Sequence, residues 1–312
     1  LSVLTYISKR LIQAIPVLLI ISLFSFSIIH LVPGDPVRVM LGSRASADAI
    51  ATLQAQLGLD QPLTTQYMTF LTNAIRLDFG NSIFLRAPVG PIVVERARNS
   101  TSLLIYAVII SLAIAVPLAM LAAVRRNRPP DHLVRIFTTV AFAMPAFWTA
   151  LLLVLIFSLR LKLFPTSGLG DGFPDRLLSL TLPALTVGFY LAPVLLRSLR
   201  ASLIETLSAD FVEAARARGL SEGRVLFKHV LRNSLIAMIT VLGVNVGFLI
   251  SGAVVVENVF SIPGLGSLLV SSIVSRDYPV IIALTLVFGV AVVIVNLLVD
   301  LSYALLDPRI RL

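Results

Sequence analysis

The residues of this chain that could do covalent or metal chemistry are few and badly spaced for it. His30, His132 and His229 lie far apart, and neither an H-E-x-x-H pattern nor a paired-carboxylate spacing occurs. A hydrolytic metal centre needs such clustering, so each histidine reads as structural. Gly168, Gly170 and Gly172 form a G-x-G-x-G string, but no strand precedes it, as a dinucleotide site requires. No G-x-x-x-x-G-K-[ST] phosphate loop is present, so the chain is not expected to bind and hydrolyse ATP by itself. With no cysteine, disulfide and thiol chemistry are absent. The stretch that remains is polar and basic, ADFVEAARARGLSEGRVLFKHVLRN at 209–233, and its chemistry is that of docking.

Asp210 and Glu213 fit a D-x-x-E capping box, which predicts a helix from Phe211. Gly219 is placed to end it in the left-handed conformation, after about two turns or roughly 12 Å. Ser221 then predicts the cap of a second helix that begins near Glu222 and leads into an apolar run. Phe211, Ala214 and Ala215 fall on one face of the first helix, a bulky anchor beside small residues; Arg224, Lys228 and Arg232 make a basic stripe on the second. Two turns are not stable alone in water, so the short helix must dock. A protein partner and an anionic lipid surface both satisfy that, and spacing alone favours neither.

The elements that must position this stretch are membrane helices. The 312 residues are 57% hydrophobic and 13% charged, with a mean hydropathy of +0.97. A hydrocarbon core of about 30 Å takes about 20 apolar residues, and six runs qualify: 11–32, 103–124, 133–157, 177–196, 235–256 and 279–305. The first run is too long for a signal-peptide core and no A-x-A-like site follows it, so it reads as an uncleaved span. The net charge of +9 reports topology rather than nucleic acid, because the basic residues do not cluster with aromatics. With the amino terminus inside, Lys9, Arg10, Arg125, Arg126, Arg128, Arg135, Arg197, Arg200 and the 209–233 stretch all fall inside, and short outer loops keep Arg160, Lys162, Arg176 and Arg276. Both termini are then expected in the cytoplasm.

Residues 34–100 form the long polar segment outside the membrane. Ser46 predicts the start of a helix with Ile50, Leu53 and Leu57 on one face and Gly58 at its end. Pro62 predicts a second, with Tyr67, Phe70, Leu71 and Ala74 on a stripe. Pro16, Pro117, Pro145, Pro183 and Pro193 lie inside spans, which membrane helices tolerate when neighbours re-satisfy the freed carbonyls. Gly243 and Gly247, four apart, predict close helix contact. In the loop NVFSIPGLGSLL at 258–269, Pro263, Gly264 and Gly266 read as tight turns with exposed backbone and are candidates for an outer gate.

The stretch EAARARG resembles the EAA motif of permease subunits in binding-protein-dependent ABC importers, written EAA, three residues, G, nine residues, I, one residue, LP. Glu213, Ala214, Ala215, Gly219 and Leu231 fall on that pattern, while His229 and Arg232 replace its Ile and Pro. GLSEGRVLFKHVLRNSL is similar to the version in the dipeptide, oligopeptide and nickel branch, and HLVPGDP, LGLDQPLTTQY, LDFGNS, VFSIPGLG and LLDPRIR extend the resemblance along nearly the whole chain.

The resemblance implies an all-α type I importer fold with six transmembrane helices and a small helical extracytoplasmic segment between the first two. The divisions expected are 1–33 (tail and first span), 34–100 (extracytoplasmic segment), 101–305 (core permease domain) and 306–312 (cytoplasmic tail). It implies a coupling helix at 209–219, whose Asp210, Phe211, Glu213, Ala214, Ala215 and Gly219, with Leu231, engage an ATPase. Expected partners are a second related permease, two cytoplasmic ATP-binding subunits that hold ATP and Mg, an extracytoplasmic substrate-binding protein and the lipid bilayer, without nucleic acid. No cofactor is expected in this chain, which is read as a pathway subunit rather than an enzyme. The location implied is a bacterial or archaeal plasma membrane and the cargo di- or oligopeptides, with nickel chelates, glutathione or another small solute as alternatives. An ion-gradient-driven secondary transporter is the competitor from another class; it normally needs ionisable groups at midmembrane, and Asp300 with Asn296 lies toward the inner end of the last span.

Overall fold

The computed structural model describes residues 3–31, 37, 46–56 and 59–306. Residues 32–36 of the motif at 30–36, the start of that at 57–67, most of that at 305–311 and the expected helix end at Gly58 therefore fall outside the described residues, as do the side chains of His30, Leu53 and Asp300. Every extended element among the described residues is helical: α1 (Val3–Leu31), α2 (Ala47–Gln56), α3 (Leu63–Ile75), α4 (Val89–Val124), α5 (Pro129–Ala143), α6 (Ala146–Leu153), α7 (Phe173–Leu207), α8 (Asp210–Ala217), α9 (Glu222–Arg224), α10 (Arg232–Val259), α11 (Leu265–Ser275) and α12 (Tyr278–Leu306). Two π-helical segments continue the chain, Val154–Arg160 after α6 and Val225–Leu231 between α9 and α10.

Contacts divide the chain into two compact bodies. One comprises Leu1–Lys9, Asn99–Ser267 and Ile294–Leu312. Its centre is α7, which packs along α10 and against α5 and α6. In α7 61% of the most apolar window is buried, against 33% in α4, so α7 is the core helix and α4 keeps a face for lipid or a partner. Leu191, Leu195, Leu196, Leu199 and Leu203 of α7 are fully buried, with Leu103, Ala107, Ala115 and Ala119 of α4 in the same cluster. Pro183 and Pro193 lie inside α7 without ending it. The predicted contact at Gly243 is present, since a Cβ there would sit 2.6 Å from Val299; one at Gly247 would touch nothing.

The expected third span, 133–157, is not one helix. α5 and the α6 stretch meet at 105°. Met144 is extended (φ −82, ψ 123) and Pro145 follows with ψ 140. The proline ring disfavours the helical region for its predecessor and removes one backbone donor, which permits the chain to turn there. A second departure is α11, an apolar helix of 11 residues that begins inside the expected turn region 258–269. Four helices, or five with the bent pair, are long and apolar enough to cross a membrane among the described residues, and residues 12–28 of α1 form a shorter apolar stretch.

The second body comprises Arg10–Arg98 and Leu268–Val293. α2 starts directly after Ser46 and α3 directly after Pro62, as the sequence predicts. The α3 stripe packs on α1: Phe26 stacks edge-on against Tyr67 (5.4 Å) and near Phe70 (5.9 Å), and Ser22 Oγ shares a 2.8 Å hydrogen bond with the Tyr67 hydroxyl. Asp277, buried at the start of α12, accepts from Ser82 Oγ (2.5 Å) and from the amides of Ile83 (3.2 Å) and Phe84 (3.3 Å), fixing the chain just after the LDFG stretch. α4 begins at Val89, so the last part of the segment placed outside the core is already the first turns of a helix about 54 Å long.

Candidate functional site

α8 carries the residues expected to couple. It starts at Asp210, one residue earlier than the capping box predicts, with Ala209 at the N-cap and no side-chain cap bond. Asp210 and Glu213 therefore act as exposed acids in the first turn, favoured there by the helix dipole rather than by reciprocal capping. Its end matches expectation. Gly219 has φ +76, its N–H reaches Arg216 O at 2.9 Å, and the Leu220 N–H reaches Ala215 O at 3.4 Å. That pair of bonds is a Schellman motif, which needs a left-handed residue where glycine stands. Ser221 holds the next N-cap as predicted, without a side-chain bond. Arg216 spans the turn to Glu222 through two hydrogen bonds, 2.9 and 3.2 Å.

The docking face differs from the one expected. Val212 and Ala215 are buried and belong to the apolar core, so Ala215 faces the chain's own body. Phe211 (46% exposed), Glu213, Ala214 and Gly219 face outward. Leu231 is half-buried and packs against the core, supporting the helix behind α8. A short helix is thus seated on its own chain against the π-helical segment Val225–Leu231 and presents a second, exposed face. Arg224, Lys228 and Arg232 are all exposed on the helix that follows. Ten residues before α8, Arg200 of α7 grips the buried Asp131 of α5 through two 2.7 Å bonds, Nε to Oδ1 and Nη2 to Oδ2, while the Asn127 amide adds a third at 3.0 Å. This bidentate pair fixes the α4–α5 turn to the helix that carries α8.

At the far end of α10, the gate candidates are locked rather than exposed. Glu257 is fully buried, and its carboxylate accepts from Ser100 Oγ (2.5 Å) and from the amides of Gly266 (2.7 Å) and Ser267 (3.0 Å) at the start of α11. Ser100 Oγ in turn accepts the Leu265 amide at 2.8 Å. Asn99 Nδ2 donates to Pro263 O (2.8 Å), Arg176 holds Asn99 Oδ1 (2.5 Å), and the Gly168 amide reaches Phe260 O (2.8 Å). A Cβ on Gly264 would fall on the Glu257 carboxylate, and one on Gly266 would lie 2.5 Å from Val254 Cα. Pro263, Gly264 and Gly266 therefore form a tightly packed cradle around one acid. Glu257 stands one residue past the expected span 235–256, and the signal in the sequence is an isolated acid in GAVVVENVF with a P-G-x-G turn a few residues on, since a buried carboxylate needs backbone donors close by.

Between these ends, the Met144–Pro145 break borders a cavity of about 400 Å³, walled by Phe142 and Pro145 on one side, Tyr190 of α7, and Leu249, Ser251 and Val256 of α10. Irregular backbone in a membrane helix is tolerated where it is buried in protein or lines a cavity, and this break borders one.

The comparisons with known proteins agree with this arrangement. Residues 115–312 match the family described as binding-protein-dependent transport system inner membrane component, and residues 3–89 match its N-terminal counterpart. Glutathione transport system permease protein GsiC is 42% identical in Salmonella paratyphi A and 41% in Escherichia coli K12, over 308 residues and 99% of both chains. Among solved structures, an inward-facing MetNI methionine ABC transporter superposes with a TM-score of 0.59 at 14% identity, covering 69% of this chain and 96% of its own. An amino acid ABC transporter does so at 0.50 with 16% identity, covering 68% and 92%. These two speak for the fold alone. A buried core helix, a seated short helix with a free face and a near full-length likeness together place the chain: it belongs to the binding-protein-dependent transport system inner membrane components, as a multi-pass permease subunit of an ABC importer.

Proposed function

We propose that this chain forms half of the membrane pathway of an ATP-driven importer of short peptides, and that its cargo is of the glutathione class. The observation that carries the coupling half of this reading is the two-sided α8, with Val212 and Ala215 holding it to the chain and Phe211 and Ala214 presented outward. The cargo half is supported by the 41–42% identity to glutathione permeases over nearly the whole length. A second, related permease completes the pathway; two cytoplasmic subunits bind ATP and Mg and receive α8, and a substrate-binding protein delivers cargo to the opposite face. Both termini lie in the cytoplasm, on the side of the basic loops. The chain itself performs no catalysis and holds no cofactor. Coupling requires that the ATPase contact α8 differently in its nucleotide-bound and free states, and the continuous helix from Glu222 to Val259 passes that difference to the end that holds Glu257.

The test is uptake of radiolabelled glutathione into proteoliposomes holding the complete transporter and its binding protein, with ATP inside. The expected result is accumulation that requires ATP and survives collapse of the proton gradient. Uptake of a dipeptide or of a nickel chelate with none of glutathione would overturn the cargo assignment, and uptake that follows the proton gradient without ATP would overturn the mechanism.

A further inference from the structure

We propose that Arg197 is a recognition point for a carboxylate of the passing cargo, stacked on Phe142, which itself walls the cavity beside the Met144–Pro145 break. The proposal rests on the reading of the chain as a peptide importer and adds to it where, and through which group, the pathway meets its cargo.

Three observations converge there. The rings of Phe142 and Tyr190, both in the cavity wall, stack nearly parallel, with centroids 6.2 Å apart and an interplanar angle of 17°. The Arg197 guanidinium lies over the Phe142 ring, Cζ at 5.1 Å from its centroid. Tyr190 and Arg197 are seven residues apart on α7, two turns along one face; Val194 between them is half-buried, whereas Leu191, Leu195, Leu196 and Leu199 are buried on the other side. Arg197, Phe142 and Tyr190 thus form one stack, of which Phe142 and Tyr190 line the cavity.

Arg197 differs from its neighbour Arg200 in what it holds. Arg200 spends its fork on Asp131, whereas no carboxylate of the described residues forms an ion pair with Arg197, which is exposed. Arg197 stands one residue past the expected span 177–196, among the basic residues gathered on that side. Stacking on Phe142 holds the guanidinium through the ring's negative face while leaving the in-plane N–H donors free. Those donors match a carboxylate bidentately, and every peptide with a free C-terminus carries one. The rest of the wall suits a small amphipathic solute: mostly apolar, with the Ser251 hydroxyl and the Tyr190 phenol as polar groups. Its volume of about 400 Å³ is within the span of about 300–1,000 Å³ of small-molecule sites.

The chain's lack of cysteine gives a clean test. In the complete transporter, Ser251→Cys places the chain's only thiol in the cavity wall, and its modification rates by an anionic and a cationic methanethiosulfonate are compared with and without Arg197→Gln. The expected result is an anionic-to-cationic rate ratio at least about 5-fold higher with Arg197 than with Gln, because a positive charge beside the cavity draws in the anionic reagent and repels the cationic one. A thiol-free tripeptide with a free C-terminus should slow labelling, and its C-terminal amide should do so at least about 5-fold less well, a difference that Arg197→Gln removes and Arg197→Lys partly keeps. An unchanged reagent ratio, equal protection by acid and amide in the parent, or no labelling from water by either reagent would overturn the proposal. The uptake assay is separate: a parent that imports glutathione but fails here sinks only the role of Arg197, and a parent that imports no peptide sinks the reading beneath it.

Discussion

At the scale of single residues, Glu257 orders the end of the bundle that holds α11. Hydrogen bonds from Ser100, Gly266 and Ser267 to its buried carboxylate tie α10, α11 and α4 together. Glu257→Ala leaves two amides and a hydroxyl without their acceptor in an apolar setting and should cost about 3 kcal/mol, in the range of breaking a buried charge-assisted network. Glu257→Gln keeps one acceptor oxygen and should cost less than half of that. Gly264→Ala pushes a methyl group into the same carboxylate, which cannot withdraw from its donors, and should destabilise by about 1–3 kcal/mol. Gly223→Ala is the control: nothing lies within 4 Å of its Cβ and its helical position favours alanine, so stability should rise by roughly 0.5–1 kcal/mol. Thermal unfolding of the purified transporter in detergent measures all four; equal midpoints for Gly264→Ala and Gly223→Ala would contradict the cradle.

At the scale of elements, the junction between α8 and the helix beginning at Glu222 is where backbone conformation bears on function. A Cβ at Gly219 would meet no atom, so a substitution there acts through φ +76 alone. Asparagine tolerates the left-handed region and β-branched valine does not, which predicts uptake in the order Gly, Asn, Val. Gly219→Val should lose about 1–3 kcal/mol of local order and most ATP-driven uptake, at normal membrane abundance. Retained uptake with valine would show that the left-handed turn is dispensable. Much of this junction was legible in the sequence, because a terminating glycine and the next N-cap position are set by local chemistry. The inward face was not, because Val212 and Ala215 are chosen by the core they meet, and Ala215 looks as suited to a partner as Ala214 does. The Met144–Pro145 break was hidden for a similar reason. Pro16, Pro117, Pro183 and Pro193 stay inside continuous helices, so a proline in an apolar run does not announce a break until packing decides where the chain turns.

At the scale of the whole molecule, run length and charge asymmetry suffice to reveal a multi-pass helical protein, since both follow from the bilayer itself. α11 escaped that logic, being too short to span and adjoining a Pro-Gly turn. On the proposed function the chain is driven from outside itself, through the exposed face of α8, and proximity to the ATP-binding subunit measures this. In the complete transporter, single cysteines at Phe211 and Ala214, and at Val212 and Ala215, are joined to the ATP-binding subunit with a short bifunctional thiol reagent in the nucleotide-free and ATP-bound states. Phe211→Cys and Ala214→Cys should cross-link, with yields that change with nucleotide, whereas Val212→Cys and Ala215→Cys should stay largely unreacted inside their own chain. Cross-links to the ATPase from Val212 and Ala215 with none from Phe211 and Ala214, or yields indifferent to nucleotide throughout, would contradict it.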